Sequence, residues 1–543
     1  MKKVFVSFLV SIVNIAFLFA YNVDTQTIQK EVDAHLSQVP FEKFSIKVPT
    51  FPNAVFNITD AGAVGDGVTK CTNAINSTIK KCSEAGGGTV LIPAGLWLTG
   101  PITMQSNVNL HLAAGAMVYF SADEADYELV KSGSNKYRRP SLINGSDLKN
   151  IAITGKGIFN GNGSEWRYVK KEKLPEKKWK QMTKTGDLRE DGKEWAPRKG
   201  YFAQVAAKKS MKESEMTVAD WNSVRLTLRS YTLNIERVEG MLVEGITLMN
   251  SPHITNMLRR INGLVMKDVT VLNEWWFQNA DGLDISYCQN VLLYDCTVNT
   301  GDDGICMKSS RGNGDKPFGL ENIVIKDCKV YHGHGGFVVG SNTDGGMRNI
   351  WVKNCTFSWT DVGLRFKTGV GRGGRVENVF VEDIFMKDLA GNAIEFELTY
   401  ADKGAITGKD FSEKQTLVPD FDGIYFKNIY CDNAKGAIVI GGTPDLNVKN
   451  VSFENVIIKA NKGVEAFRSE NISFKNVVIN TTSQPTYKLN KAQNIQFTNM
   501  PSMNGVSFKI LNPETKNITF EKGKLSPSQV EIINGADPAQ VKF

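Results

Sequence analysis

The chain has 543 residues, of which 41% are hydrophobic and 22% charged, and a formal net charge of +7. That ordinary balance excludes the disordered and collagen-like classes, and the length exceeds what one ordinary core organises unless the chain repeats. The mild positive charge suits a polyanionic partner without deciding between nucleic acid and an acidic polysaccharide.

In chain order, the first predicted element is an export signal at residues 1–20. Lys2 and Lys3 precede an apolar stretch from Val4 to Phe19, and small Ala20 offers a cleavage position before Tyr21. The stretch is short for a membrane span, and no later segment is long and apolar enough to cross a bilayer. The expected product is exported, to the periplasm or the extracellular space. Residues 21–52 read as a polar lead-in, and 53–543 as a single catalytic domain.

Thr69 to Glu84 predicts an amphipathic helix that covers the open end of the fold. Cys71 and Cys82 would stand about three turns apart on it, roughly 16 Å by the helical rise, too far to bridge. Glu84-Ala85-Gly86-Gly87-Gly88-Thr89 lacks the Lys-Ser/Thr of a phosphate loop and runs into a strand, so it reads as a tight turn. Early coils run through Val108 to Leu112 and Asn150 to Phe159. Between Trp166 and Trp221 comes a basic insertion with Trp166, Trp179 and Trp195 interleaved. It reads either as a solvated lobe or as a basic wall with aromatic platforms beside a carbohydrate cleft.

From Gly240 onward a short phrase returns: Asn or Gly, apolar, any, apolar, any, Asn or Asp, apolar. Copies start at Gly240, Gly263, Asn290, Asn322, Asn349, Asn378, Gly423, Asn450 and Asn471. A period mostly in the twenties, built from short alternating strands, predicts an all-β solenoid, a right-handed parallel β-helix. Equivalent residues of neighbouring coils then lie about 4.8 Å apart. Thr399 to Pro419 reads as a polar loop, and the weakened copies from Asn494 and Asn517 as an end cap.

The register sorts the polar residues. Asp268, Asp295, Asp327, Asn354, Asp383, Asn428, Asn455 and Asn476 share one slot, expected to bond the backbone of the next coil at a turn. Their carboxylates are therefore structural. Cys296, Cys328 and Cys355 share an inward slot that elsewhere holds Ile or Val, so they read as small hydrophobes. A second strand column aligns Leu283, Ile305, Phe337, Leu364 and Ile394 inward, and Asp284, Cys306, Val338, Arg365 and Glu395 outward. Just ahead of it, Asp281 aligns with Asp303 and Asp302 with His334. The register thus predicts Asp281, Asp302, Asp303, His334, Arg365 and Lys367 on one outer surface. Crowded carboxylates raise one another's pKa, which suits acid–base cleavage of a glycosidic bond. Arg365 and Lys367 offer cations for an acidic sugar. Clustered Asp oxygens would also suit calcium, a reading that His334 and two nearby cations disfavour.

At these residues the chain resembles glycoside hydrolase family 28, the polygalacturonases. The signatures are Asn279-Ala280-Asp281, Gly301-Asp302-Asp303, Gly333-His334-Gly335 and Arg365-Phe366-Lys367, with agreeing flanks at Asp60 to Ala63, Arg139 to Ile143, Gly155 to Gly163 and Asn250-Ser251-Pro252. The resemblance implies inverting hydrolysis of α-linked galacturonic acid in pectin, with no cofactor or metal. It implies Asp302 as general acid, Asp281 and Asp303 on the attacking water, His334 assisting, and Arg365 and Lys367 on the substrate carboxylate. Asn279 and Tyr400 would be further substrate contacts. Ala280 and Phe366 replace the family's Thr and Ile; neither change removes a reactive group, and Ala280 is expected to loosen the support of Asp281. The expected partner is plant cell-wall pectin or its oligosaccharides, with no nucleic acid and a monomeric protein. The alternatives are a hydrolase of rhamnogalacturonan or another decorated pectin, a β-helical pectate lyase, and a non-catalytic carbohydrate-binding β-helix.

Overall fold

The structure is a computed structural model and describes residues 23–310, 318–400, 417–443, 446–501, 507–523 and 525–543. The expected signal peptide, and most of the loop expected over Thr399 to Pro419, lie outside the described residues. The fold is a parallel β-helix. Its chain forms two compact units, one of Met1–Ala34 and Ile46–Gly282, the other of His35–Ser45 and Leu283–Phe543.

In the first unit, one column of parallel strands runs Val55–Asn57, Gly88–Ile92, Val108–Leu112, Ile143–Gly155, Leu233–Glu244 and Asn256–Lys267. A second runs Asp66–Lys70, Gly95–Thr99, Ala116–Phe120, Ile158–Asn160, Thr247–Met249 and Thr270–Leu272. Ile143 pairs directly with Leu233 and Asn160 with Met249, so the residues between Asn160 and Leu233 are an excursion from two adjacent coils.

That excursion is a lobe with its own structure: a small antiparallel sheet (Val169–Lys170, Asp187–Leu188 and Glu194–Ala196) and helices Glu176–Met182, Tyr201–Ser210 and Val218–Ser223. Its tryptophans are not platforms. Trp166, Trp179, Trp195 and Trp221 are all buried, the last at 1% exposure.

The helix spans Thr72–Glu84 and buries Ile75, Ile79 and Cys82. It starts three residues later than the periodicity predicts. Asp66 takes the amides of Val68 and Thr69, and the Cys71 amide donates to the Leu98 carbonyl, which commits the preceding residues to strand Asp66–Lys70. Gly87 and Gly88 have φ of +108° and +146°, and a Cβ on either would stand 2.5–2.6 Å from a carbonyl oxygen of a neighbouring segment. The glycine run is thus a tight turn. The lead-in is more than polar. Helix Thr25–Leu36 buries Ile28 and Val32 one turn apart, and its Gln29 side chain brackets the Ile46 carbonyl and the Val48 amide, each at 2.9 Å.

In the second unit one column stacks Leu283–Ser286, Asp303–Lys308, Gly335–Val339, Leu364–Lys367 and the end of Arg375–Glu397. Another runs from Gln289–Tyr294 through Leu320–Lys326 and Met347–Lys353 into Arg375–Glu397, Asp420–Gly441 and Val448–Thr481. Among the described residues, further coils rather than a cap follow the weakened copies. Tyr487–Thr498 pairs with Lys516–Glu521, and Phe508–Leu511 with Val530–Ile533, so coils continue in register. Only the strands shorten.

Both Asn slots of the repeat sit at corners with φ near +55°, the left-handed region that Asn tolerates. Each is a side-chain ladder: Asn354 to Asp327, Asn428 to Asp383, Asn455 to Asn428 and Asn476 to Asn455 at 2.5–3.1 Å, and Asn322 to Asn290, Asn349 to Asn322 and Asn471 to Asn450 at 3.0 Å. The bonds therefore run from side chain to side chain rather than to the next coil's backbone, because the left-handed corner aligns successive amides. All eight cysteines are free and buried.

Candidate active site

In the second unit the strand column carries five of the six predicted residues, Asp302, Asp303, His334, Arg365 and Lys367. Asp303 opens strand Asp303–Lys308, and Asp302 precedes it. A Cβ on Gly304 would lie 2.5 Å from Val330, and one on Gly333 would lie 2.5 Å from the Asp302 carbonyl oxygen. The two glycines thus permit the close approach of coils that the site requires. The His334 amide donates to the Asp302 carbonyl at 2.9 Å, and His334 Nδ1 lies 3.1 Å from Asp302 Oδ1. Asp302 retains 14% side-chain exposure, enough to meet a ligand. On the far side of the ring, His334 Nε2 stands 3.8 Å from Asp361 Oδ2.

Asp303 is buried deeper. Its Oδ2 receives the Lys367 ammonium at 2.7 Å. Its Oδ1 is buried with no hydrogen-bond partner among the described residues. Burial by itself would lower the pKa of Lys367, but the Asp303 charge, the Cys306 thiol and the hydrogen bond to Asp303 together more than offset it, so the ammonium is held above its ordinary range. Arg365 follows the same rule. Burial lowers its pKa, Asp303, Glu395 and Glu397 raise it, and the net shift is upward. Its Nη2 lies 3.4 Å from Glu397. The Tyr400 ring sits amid three cations, with Lys367 at 4.9 Å, Arg365 at 5.3 Å and Arg372 at 5.4 Å. Arg372 also holds the Tyr400 carbonyl at 2.5 Å.

The outward column is in register as predicted, with Asp284 beside Cys306, Val338, Arg365 and Glu395. Its members are not all solvated, however. Asp284, Cys306 and Val338 are fully buried, and Asp284 is ion-paired with Lys308. Period-2 alternation separates the faces of a strand but does not say what covers the outer one.

Asn279 and Asp281 belong to the first unit. Asp281 is buried at 7% exposure. Its segment lies in no strand and is held by side chains as well as by backbone bonds at its end. The Gln278 carbonyl accepts from Arg167 and, at 3.2 Å, from Arg229. Asn279 Oδ1 accepts from Arg229 at 3.0 Å, and the Ala280 carbonyl from Asn273 Nδ2 at 3.3 Å. The Asp281 carbonyl accepts the Thr255 amide at 2.8 Å. These bonds support Asp281 without the hydroxyl that Ala280 lacks. Burial lowers the pKa of Arg229, countered by Tyr201, Tyr168, Tyr231 and Asp281. Sequence reasoning missed Arg167, Arg229, Asp361 and Arg372. Each acts across a long sequence separation, and only the placing of Arg167 directly after the Gly155 to Gly163 flank was a signal.

Comparisons with known proteins point to one family. Residues 226–483 match the model for glycosyl hydrolases family 28. Residues 55–166 match that for rhamnogalacturonase A/epimerase, pectate lyase-like. Over residues 226–483 the chain is similar to glycoside hydrolase family 28. It is 28% identical over 393 residues to an exo-poly-alpha-D-galacturonosidase of Dickeya chrysanthemi, a match covering 68% of this chain and 63% of that enzyme, less than two thirds of its length. A probable polygalacturonase of Vitis vinifera is 23% identical, covering 74% of each chain. Among solved structures, a hyperthermoactive exopolygalacturonase from Thermotoga maritima superposes with a TM-score of 0.64 and 26% identity, over 84% of this chain and 96% of that one.

Proposed function

We propose that the protein hydrolyses α-1,4-linked galacturonic acid in pectin with inversion, releasing sugar from chain ends. Asp302 gives its proton to the glycosidic oxygen as the C1–O bond breaks. Water attacks C1 from the opposite face, and its proton passes to the Asp281 or Asp303 carboxylate. His334 Nδ1 orients the acid through its 3.1 Å contact. Arg365, with Lys367 and Tyr400 behind it, receives the substrate carboxylate, and Asn279 contacts the sugar.

The observation that carries this reading is the division of labour between adjacent acids. Asp302 is partly exposed against an imidazole, whereas Asp303 is locked onto a buried ammonium with one oxygen left to accept a hydrogen bond from water. A carboxylate paired with a lasting cation fits the accepting role, and an accessible one fits the donating role. Asp281 stands two residues before Leu283 as Asp303 stands two before Ile305, which supports its place beside the water. Chain-end attack is supported by the exo-acting relatives. Export, with residues 1–20 as a signal peptide, fits a polymer substrate that lies outside the cell.

The test is product analysis on polygalacturonate, rhamnogalacturonan and xylogalacturonan. The expected result is a saturated galacturonate monomer or dimer from polygalacturonate, released as the β-anomer. Asp302→Asn should lower kcat by about 10²–10⁴ while leaving the melting temperature unchanged. An unsaturated product absorbing in the ultraviolet, or full activity in Asp302→Asn, overturns the assignment.

A further inference from the structure

The lobe between Trp166 and Trp221 is not part of the coil repeat, yet its second residue reaches the segment that carries Asp281. Arg167 is 1% exposed. Its Nε donates to the Ser251 carbonyl at 2.6 Å, its Nη2 to the His253 carbonyl at 2.5 Å and its Nη1 to the Gln278 carbonyl, while the guanidinium lies 4.8 Å over the Phe277 ring. A planar group with donors in a fixed fork joins several carbonyls at set angles, which a lysine ammonium cannot reproduce. Gly163 makes the reach possible. Its amide donates to the Asn250 carbonyl at 2.6 Å, and a Cβ there would lie 2.4 Å from the Ser251 carbonyl oxygen.

The turn after Asn250 and the segment ending at Asp281 are joined a second time. The Ser251 amide donates to Asn273 Oδ1 at 2.9 Å, and Asn273 Nδ2 donates to Thr255 Oγ1 at 2.7 Å and to the Ala280 carbonyl at 3.3 Å. No strand spans residues 273–282, so these side-chain bonds, with the backbone bonds from Thr255 to Asp281 at 2.8 Å and from Asn256 to Gly282 at 3.2 Å at its end, set where this segment stands. Arg167 is the part of that framework supplied by the lobe.

We propose that Arg167 is a positioning residue for Asp281, its buried guanidinium fixing the Gln278 carbonyl against the turn at Ser251 and thereby the carboxylate three residues on. This rests on the reading of Asp281 as a group acting on the attacking water. Misplacing a reacting group by about 1 Å costs on the order of 10²-fold in rate, so the effect belongs in kcat rather than KM.

The experiment compares wild type, Arg167→Ala and Arg167→Lys by kinetics on polygalacturonate, with and without millimolar guanidinium, and by amide hydrogen exchange. Expected are a roughly 100-fold fall in kcat, KM unchanged within a few-fold, partial recovery with guanidinium in Arg167→Ala, and faster exchange over residues 274–281 while Leu233–Glu244 and Asn256–Lys267 stay protected. An unchanged kcat, a change in KM alone, or protection lost throughout the first unit would overturn the proposal. If Arg167→Ala does not fold, Arg167→Lys, which keeps a buried cation, decides. Wild-type kcat in that variant sinks the idea. Wild-type protein inert on every pectin removes the catalytic reading instead, and the exchange data then decide alone whether Arg167 holds the segment.

Discussion

The coils from Asp420 to Glu521 and the lobe after Trp166 are held by opposite means. In the coils, Phe426, Phe453, Phe474, Phe497 and Phe520 stack face to face at 5.0–5.1 Å, each touching its equivalent in the next coil. The lobe has no repeated neighbour. Trp166 lies between the guanidinium groups of Arg139 and Arg198, at 4.4 and 3.9 Å, and both arginines together with Arg225 bind the single carboxyl of Glu124. Two small apolar groups complete it, one around Trp179 and Trp195, the other around Trp221. The comparison teaches where a charge run goes. The basic residues that read as a solvated or ligand-facing wall are in part fasteners, which bury tryptophan and tie the lobe to its coil.

The largest expected effects come from removing one ring in each region. Phe474→Ala and Trp166→Ala should each cost about 3–5 kcal/mol locally, but with different reach. In a stack that propagates through nearest neighbours, Phe474→Ala should lower the urea midpoint and loosen exchange in the flanking coils. Trp166→Ala should open the lobe to proteolysis while strands Leu233–Glu244 and Asn256–Lys267 keep their protection. Equal spread of the damage in both variants would erase the distinction. A smaller effect is expected at the corners. Asn455 has φ of +55° and bonds Asn428 at 3.1 Å. Asn455→Ala should cost about 1–2 kcal/mol, because other L-residues resist the left-handed region, and Asn455→Gly should cost less. If alanine and glycine behave alike in denaturation, the ladder bond matters and the corner geometry does not.

The same contrast explains what the sequence made legible. The solenoid, its inward column and the Asn corners follow from a short phrase repeated in register, so Asp302, Asp303, His334, Arg365 and Lys367 could be brought to one surface without coordinates. The lobe offered only composition. Its key contact, Arg198 with Glu124, spans 74 residues, and nothing local marks either partner. The burial of Asp284 was hidden for a related reason. Alternation identifies a strand's outer face, whereas the cover on that face comes from elsewhere in the chain. The lead-in helix was readable, since Ile28, Val32 and Leu36 recur at helical spacing, but the polar residues between them outweighed that pattern.

The smallest effect near neutrality concerns a polar join between coils of the first unit. Thr89, Asn109 and Thr154 form a polar thread across three coils, Asn109 Nδ2 to Thr89 at 3.3 Å and Thr154 to Asn109 Oδ1 at 2.8 Å, and His111 Nδ1 ends it 2.9 Å from the Thr154 hydroxyl. Burial pushes the His111 pKa down from 6.5 to about 4. Between those values the unfolded chain takes up a proton that the folded imidazole refuses. The contribution of His111 to stability is therefore whole above about pH 6.5 and is lost progressively as the pH falls towards about 4. Carboxylates add their own acid dependence, so the informative quantity is a difference: urea midpoints of wild type and His111→Gln across this range should converge as the pH drops. A constant gap at every pH would mean that His111 joins the coils by packing alone, as the phenylalanines do, and that its titration plays no part.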